Sequence, residues 1–318
     1  MKTVFIHTIE LIIMPIKKLK KYLVSFLMLN SKTYAVRKIK KRFLNELGYK
    51  LNLNNPKTFN EKLNWIKFYG INPLMSISAD KYKVREYLKK EGFGEYLIPI
   101  YGVFNKTTEL DWDLLPQSFV LKTNHNSGGV WIIKNKKNIN KTRLKNEIKK
   151  SLNEVYGIEN GEYHYKEIQP KIIAEAFLGN SNKIIPDYKF SCFNGKCYEM
   201  FITINREQGN PEYYFFNRDW IRIKYIYSNR SEPKSLNLSK PKKLSSMFDL
   251  AEKLSSPFDY VRVDLYHENN KIYFGELTFF PECGYNSITY KADQVFGKRL
   301  KINTNQKFEF FKKPYVVL

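Results

Sequence analysis

What most constrains this chain is a stretch near its end, residues 259–282, DYVRVDLYHENNKIYFGELTFFPE. Two runs of alternating β-branched, aromatic and polar residues flank His267-Glu268-Asn269-Asn270, a pattern that predicts a β-hairpin. Strand side chains alternate faces, so Arg262 and Asp264 share one face of the first strand, and Glu276 and Thr278 one face of the second. The turn sets Asp264 nearly opposite Glu276, within one residue of register. Opposed side chains lie roughly 5 Å apart at Cβ, and two carboxylates that close repel unless a cation lies between them. Oxygen ligands on a rigid hairpin suit Mg2+, commonly held by one or two carboxylates plus substrate phosphates. An ordinary solvated hairpin face would carry the same residues. What separates the two readings is whether the upstream chain supplies a phosphate site.

Residues 118–135 offer one. SFVLKTNH, NSGG and VWIIKN read as a strand, a glycine loop and a returning strand. A lysine inside such an apolar strand, Lys122, is costly unless paired or bound to an anion. Gly128-Gly129 lets backbone N–H groups come close to that anion, although a plain hairpin with a glycine turn fits equally well here. Neither the P-loop pattern nor Gly-x-Gly-x-x-Gly is present. Residues 170–178, PKIIAEAFL, read as an apolar strand with one carboxylate, Glu175. Asn194-Gly195 between residues 187–193 and 196–204 is a type I′ hairpin signal, with Lys189 between Tyr188 and Phe190.

The remaining elements follow from caps and periodicity. Thr58-Phe59-Asn60-Glu61 is a capping box that starts a helix with apolar spacing Leu63, Trp65, Ile66 and Tyr69, ended at Asn72-Pro73. A second helix is predicted over 78–91, carrying Asp80-Lys81 and stopped by Gly92. A strand is expected at 96–103, a basic helix at 142–156, a polar loop at 228–243, helices at 246–254 and 287–300, and an extended tail at 308–318.

With 318 residues, 43% hydrophobic and 16% aromatic, the chain holds enough apolar surface to fold. Its net charge of +23 attracts polyanions without saying which, and a Lys-rich, Asn-rich proteome accounts for part of it. Cys192, Cys197 and Cys283 make an odd number with no Cys-x-x-Cys spacing, which fits a reducing cytoplasm. The four histidines are scattered, so neither a zinc site nor a Cys–His nucleophile is suggested. Residues 4–29 alternate apolar and basic blocks. Neither apolar block reaches the roughly 20 residues that span a bilayer, and no convincing secretory signal is present. Lys17, Lys18, Lys20 and Lys21, with a second basic run at 37–42, suit an anionic membrane surface or an amphipathic helix packed on the domain.

Taken in order, these motifs resemble the ATP-grasp superfamily, specifically its teichuronopeptide-biosynthesis (TupA-like) branch of polysaccharide-biosynthesis proteins. The resemblance runs from about residue 59 to residue 290. It is carried by FNEKLNWIKFY, ADKYKVREYL, LPQSFVLKTNHNSGGV, IIAEAF, DYKFSCFNGK and FDYVRVDLY…GELTFFPECG. It implies an α+β ATP-grasp fold, two α+β lobes clamping ATP. The expected division is a basic helical segment over 1–55, a first lobe with the Gly-Gly flap over 56–178, and a second lobe with the metal-binding hairpin over 179–318. ATP and Mg2+ are the implied cofactors. Lys81 and Lys122 match phosphate-contacting lysines. Asn126, Ser127, Gly128 and Gly129 match the flap over the triphosphate. Glu175, with the backbone of Ala176 and Phe177, matches the hinge that holds adenine and ribose, and Lys189 is a further nucleotide contact. Arg262 matches the arginine that stabilises the transferred phosphoryl group, so Arg262 and Lys122 are the implied catalytic pair. Asp264 and Glu276 match the magnesium carboxylates, with Thr278 standing where many members carry Asn. The usual N-terminal Rossmann-like lobe is not recognisable, so substrate recognition does not carry over.

Three functions compete. The first is an ATP-dependent carboxylate–amine ligase with an acyl-phosphate intermediate, acting on a cell-surface polysaccharide or sugar precursor, for instance amidating a uronic acid. Its partners would be that carboxylate and an amine. The protein would be cytoplasmic and peripheral on the inner face of the membrane, through residues 1–45. The second is a glycosyltransferase of capsule or exopolysaccharide synthesis, for which Asp111-Trp112-Asp113 has a metal-motif spacing in what reads as a surface turn. The third is a basic nucleic-acid-binding protein, for which no binding motif speaks, so no nucleic acid is expected.

Overall fold

Period-two alternation in the sequence becomes two antiparallel sheets. The structure is a computed structural model and describes residues 16–179, 185–204, 212–223 and 239–305. Strands β1 (Ile100–Phe104), β2 (Phe119–Thr123), β3 (Val130–Ile133) and β4 (Ile172–Ala176) form a four-stranded sheet in the order β1-β4-β2-β3. Strands β5 (Asp187–Phe193), β6 (Lys196–Ile204), β7 (Glu212–Asn217), β8 (Arg222–Ile223), β9 (Tyr260–Glu268) and β10 (Lys271–Thr278) form a six-stranded sheet ordered β10-β9-β5-β6-β7-β8. The helices are α1 (Ile16–Asn30), α2 (Lys32–Leu47), α3 (Phe59–Tyr69), α4 (Pro73–Ala79), α5 (Lys83–Lys90), α6 (Lys141–Leu152), α7 (Leu244–Ser255) and α8 (Tyr290–Arg299). This is the α+β architecture that the sequence led us to expect.

Each sheet buries one face on its own core. Behind the four-stranded sheet, Phe119, Leu121, Ile133, Ile172 and Ala174 pack on Leu144 and Ile148 of α6 and on Leu110, Trp112 and Leu115. Behind the six-stranded sheet, alternate residues such as Phe190, Cys192, Met200, Val261, Val263 and Leu265 pack on Met247, Phe248 and Ala251 of α7. Cys192 and Cys197 are register partners there and remain buried free thiols. The two unburied faces look across a cleft at one another.

The large core extends well beyond its sheet. On α2, Ala35, Ile39 and Phe43 are buried at helical spacing, and Met28 and Leu29 of α1 join the same core. Helix α3 begins at the expected capping box, with Thr58 accepting from Glu61 N and Glu61 bonding back to the cap. Its Phe59 sits edge-on to Phe193, Tyr260 and Phe296, with centroids 5.7, 4.8 and 5.8 Å away. Burial of one such ring is worth about 2–3 kcal/mol. Strand β4, the last of the four-stranded sheet along the chain, ends at Ala176. The buried apolar side chains of residues 59–97 pack in the large core, while Asp80 and Lys81 bond Asn124 and Asn126 just beyond β2. Among the described residues no helix is long and apolar enough to cross a membrane.

Several expected elements shift. The single helix over 78–91 is two, α4 and α5, because Asp80 Oδ1 accepts from the backbone N–H of Tyr82 (2.8 Å) and Lys83 (3.2 Å) and from Asn124 Nδ2 (2.8 Å). A side chain that bonds its own backbone ends a helix. Asn72-Pro73, expected only to end α3, also starts α4, with Asn72 as N-cap. The strand expected at 96–103 begins only at Ile100, after a 3-10 turn over Gly94–Tyr96. Strands β7 and β8 were not anticipated. The polar loop at 228–243 lies mostly, and the tail at 308–318 wholly, outside the described residues.

Candidate functional site

Hairpin β9–β10 closes on Asn269 and Asn270, both at positive φ (49° and 59°), the left-handed pair that a type I′ turn requires. The register pairs Asp264 with Glu276 and Arg262 with Thr278, with a bulge at Gly275. A Cβ on Gly275 would come within 2.9 Å of the Asp264 carbonyl oxygen, so glycine lets the bulge close. Without the bulge, Glu276 would face away from Asp264.

Arg262 is the centre of the resulting cluster. It donates to both oxygens of Asp264, Nε to Oδ1 and a terminal nitrogen to Oδ2, each at 2.7 Å. The same terminal nitrogen reaches Thr278 Oγ1 (3.1 Å) and Glu276 Oε1 (3.4 Å), and the Thr278 hydroxyl donates to Glu276 Oε1 (3.3 Å). From β5, Lys189 pairs with Asp264 and with Asp187. Burial works against the Arg262 charge, but Asp264 and Glu276 hold the guanidinium well above its usual value. Burial alone would push the Asp264 carboxyl up; Arg262 and then Lys189 outweigh it and keep that carboxyl below the usual range. Asp187 goes the other way, raised by burial that Lys189 does not offset.

Across the cleft, Lys122 pairs with Glu175 on the neighbouring strand. Of the two ways to offset the cost of this lysine, pairing is the one seen: the register sets Val120 opposite Glu175 and brings Lys122 diagonally onto it. Lys81, freed from helix by the break at Asp80, donates to the Asn126 carbonyl oxygen (2.6 Å). Its ammonium is pushed down by burial, while Glu276 opposes that shift. Asn126 fastens the glycine loop: Oδ1 takes the Thr123 hydroxyl, and Nδ2 donates to Ser151 Oγ (2.8 Å) and Glu154 Oε2 (3.2 Å). Gly129 fits against Thr123, where a Cβ would fall 1.9 Å from the hydroxyl oxygen. Gly128 sits at φ 86° facing open space.

The cavity between the sheets encloses about 760 Å3, within the roughly 300–1,000 Å3 of small-molecule sites. Of the expected residues, Lys81, Lys122, Ser127, Gly128, Lys189, Arg262, Asp264 and Glu276 line it. Asn126, Gly129, Glu175, Ala176, Phe177 and Thr278 are not among the residues that line it. Ala176 N–H donates to the Pro99 carbonyl oxygen (2.9 Å), which leaves the carbonyl groups of that stretch for any base contact. Thr278 Oγ1 bonds Arg262 and Glu276, which ties it into the hairpin cluster. Asp111 and Asp113 lie in an exposed turn, Asp113 N donating to Asp111 Oδ1 (3.0 Å), outside the cavity lining.

Sequence reasoning missed the apolar walls, Val130 and Ile132 from β3 and Phe201 and Phe215 from β6 and β7, and two further lining carboxylates, Asp187 and Glu282. Alternation along β6 was a signal for Phe201; nothing local marked Asp187. It also missed Asn286 at the rim, which is pinned by Asn60 through Asn286 N to Oδ1 (2.8 Å) and Asn60 Nδ2 to the Asn286 carbonyl oxygen (3.2 Å).

Among the described residues no three His, Cys, Asp or Glu side chains gather to hold a metal by themselves. Magnesium with phosphate co-ligands asks less of a protein. Glu276, its side chain 40% exposed, uses Oε1 for both of its bonds here and turns the rest of its carboxylate to the cavity. Asp264, 3% exposed, accepts from Arg262 on one oxygen and from Arg262 and Lys189 on the other, so it has less free acceptor capacity than Glu276. The donor set fits one magnesium held chiefly by Glu276.

Two sheets gripping a cleft lined with lysines on one side and an Arg–carboxylate hairpin on the other describe an ATP-grasp protein. A profile of the TupA-like ATP-grasp family matches residues 61–301, and the chain belongs to that family. No curated protein sequence matches it. Solved structures of low identity resemble it in part. The D-alanine–D-alanine ligase from Bacillus anthracis complexed with ATP is 17% identical over 65% of this chain and 55% of its own, with a TM-score of 0.37. The corresponding ligase from Helicobacter pylori is 14% identical over 78% and 70%, with a TM-score of 0.38. The ATP-grasp ligase PsnB complexed with minimal precursor, Mg and ADP is 11% identical over 66% and 53%, with a TM-score of 0.35. The chain spans 55% and 64% of the length of the two Bacillus anthracis ligase structures.

Proposed function

We propose that this protein is an ATP-dependent carboxylate–amine ligase that works through an acyl phosphate and modifies a cell-surface polysaccharide or its sugar precursor, such as a uronic acid. The observation that carries this reading is the facing arrangement of the cleft: Lys81 and Lys122 on one wall, Arg262 and Glu276 on the other, with apolar strands beside them. Phosphoryl transfer asks for positioned positive charge more than for a protein nucleophile. Val130, Ile132, Phe201 and Phe215 offer a flat apolar slot for a base. The lysines, Ser127 and the Gly128 backbone suit the phosphates. Arg262, fixed by Asp264, can stabilise charge on the group in transfer. Magnesium bound at Glu276, assisted by Asp264, would neutralise the terminal phosphates.

The substrate carboxylate oxygen attacks the γ-phosphorus and ADP leaves. The amine nitrogen then attacks the acyl carbon, phosphate leaves, and the nitrogen loses a proton. The test is product analysis with uronic-acid nucleotides and small amines offered together: ADP and phosphate are expected. AMP with pyrophosphate would overturn the mechanism, and sugar transfer from a nucleotide-sugar without ATP would favour a glycosyltransferase.

The same reading places the protein in the cytoplasm at the inner membrane face. Support comes from α1, where Leu19, Leu23 and Phe26 are 39%, 55% and 43% exposed at helical spacing beside exposed Lys20. Such a face suits an anionic bilayer. Vesicles containing phosphatidylserine should bind the protein in low salt, and Leu23→Glu with Phe26→Glu should release it; unchanged binding would place the attraction elsewhere.

A further inference from the structure

A second cavity, about 860 Å3, lies on the other side of the α3–α8 pair. Phe59 and Phe296 line the cleft, whereas their chain neighbours Thr58 and Gly297 line this cavity. The two backbones are in close contact here: a Cβ on Gly297 would fall 2.2 Å from the Lys57 carbonyl oxygen, which makes a firm floor. The walls carry Lys50, Lys57, Lys62, Lys298 and Lys301.

Among the described residues the charge in this cavity is uncompensated. Glu61 is its one acidic lining residue. Both Glu61 oxygens are already used, accepting from the backbone N–H of Asn52 (3.1 Å), Lys57 (2.9 Å) and Thr58 (3.0 Å). Lys62 is also committed, donating to the carbonyl oxygens of Gly297 (2.6 Å) and Leu300 (2.7 Å) at the end of α8. Its ammonium is pushed below its usual value by burial and then by the charge of Lys301. Lys50, Lys57, Lys298 and Lys301 are exposed, and among the described residues none of them enters an ion pair. Among the described residues folding gathered these cations without an anion to answer them, which opposes stability unless a ligand does so.

The uncharged lining narrows the ligand. Tyr290 is 57% exposed, and its ring is held edge-on by Tyr49, with centroids 5.5 Å apart at 78°. One face of the ring is thus presented ready-made. The amides of Asn55 and Gln294 stand beside it, able to donate and accept. An aromatic face with neutral amides matches the C–H face and hydroxyls of a pyranose, and the lysines match carboxylates. We propose that the cavity between Tyr49 and Lys301 is a binding site for an acidic oligosaccharide, separate from the cleft. The assignment stands on this cavity and does not depend on the reaction proposed for the cleft.

The experiment is calorimetric titration of the full chain with tetragalacturonate, maltotetraose and tripolyphosphate in parallel. Tetragalacturonate should bind, more weakly as salt rises, and maltotetraose should not. Lys298→Ser with Lys301→Ser should weaken tetragalacturonate about tenfold or more, the ratio that about 1.4 kcal/mol represents. Tyr290→Ala should weaken it several-fold, and Tyr290→Phe should restore it, because the ring face and not the hydroxyl makes the contact. ATP binding, measured on the same variants, should stay unchanged and reports an intact fold. Should the Lys298/Lys301 variant lose ATP binding as well, Lys50→Ser with Lys57→Ser, in loops outside α8, takes its place with the same expected loss. The proposal is overturned if tetragalacturonate does not bind, or if its affinity ignores these substitutions. It is equally overturned if tripolyphosphate binds as tightly while Tyr290→Ala has no effect on tetragalacturonate, since the cavity would then be a general polyanion sink.

Discussion

The two walls of the cleft use the same device, a cation buried beside a carboxylate on a β-strand, and end in different places. On the four-stranded wall Lys122 and Glu175 form a closed pair, one charge against one. On the six-stranded wall Asp187, Asp264 and Glu276 share Lys189 and Arg262, three negative charges against two positive. Desolvating a charge is expensive, so a closed pair is a stable end point, while an uneven cluster keeps an appetite for one more cation. The surplus falls on Glu276, the most exposed of those carboxylates. The opposite surplus comes from Lys81, whose protein partner is a carbonyl oxygen and not a carboxylate. An anion bridged to a divalent cation, as the proposed reaction would bring, would satisfy both walls together.

The strongest way to break this contrast is Glu276→Gln. It removes the surplus charge and keeps the shape, so ATP turnover should fall about 10³-fold or more, as for loss of a group acting on developing charge. Nucleotide affinity should stay within about tenfold, because the apolar walls are untouched. A variant that keeps its turnover would end the comparison.

Asp264→Ala acts on stability. It leaves Arg262 and Lys189 buried without their main partner, and the expected loss is about 3–5 kcal/mol in urea unfolding. The pH dependence has a definite sign. Because the Asp264 carboxyl is held below its ordinary value in the fold, its contribution is present above about pH 4 and lost as pH falls through the folded value. The difference between wild type and Asp264→Ala should therefore shrink in acid. A difference that stays constant to pH 2 would assign the loss to packing.

Lys122→Ala should lower stability by about 2 kcal/mol, less than Asp264→Ala, because one carboxylate is stranded instead of two cations. Lys122→Met combined with Glu175→Gln should recover most of that loss while nucleotide affinity stays reduced. Full recovery of affinity would make Lys122 purely structural. The smallest effect is expected for Gly128→Ala, about 1 kcal/mol for a left-handed backbone, since its side chain would enter open space. Its influence should show more in nucleotide affinity than in melting temperature.

Much of the site could be read from sequence where the governing forces are local. Alternation and an Asn-Asn turn settle β9 and β10, placing Arg262 with Asp264 on one face of the first strand and Glu276 with Thr278 on one face of the second, because strand period and turn chirality act over a few residues. The capping box of α3 and the Asn194-Gly195 hairpin were legible for the same reason. Tertiary structure alone decided the rest. The Gly275 bulge that turns Glu276 toward Asp264 depends on close approach to the facing strand. The break at Asp80 that frees Lys81 depends on Asn124, far along the chain. The partner of Lys122 is chosen by strand order, β4 beside β2, which no local signal encodes. Likewise the basic segment over residues 16–47 shows its helical spacing in sequence. That its Ala35, Ile39 and Phe43 face the large core, while Leu23 and Phe26 of α1 face outward, was settled by packing, because an apolar stripe is buried wherever the fold provides a surface to meet it.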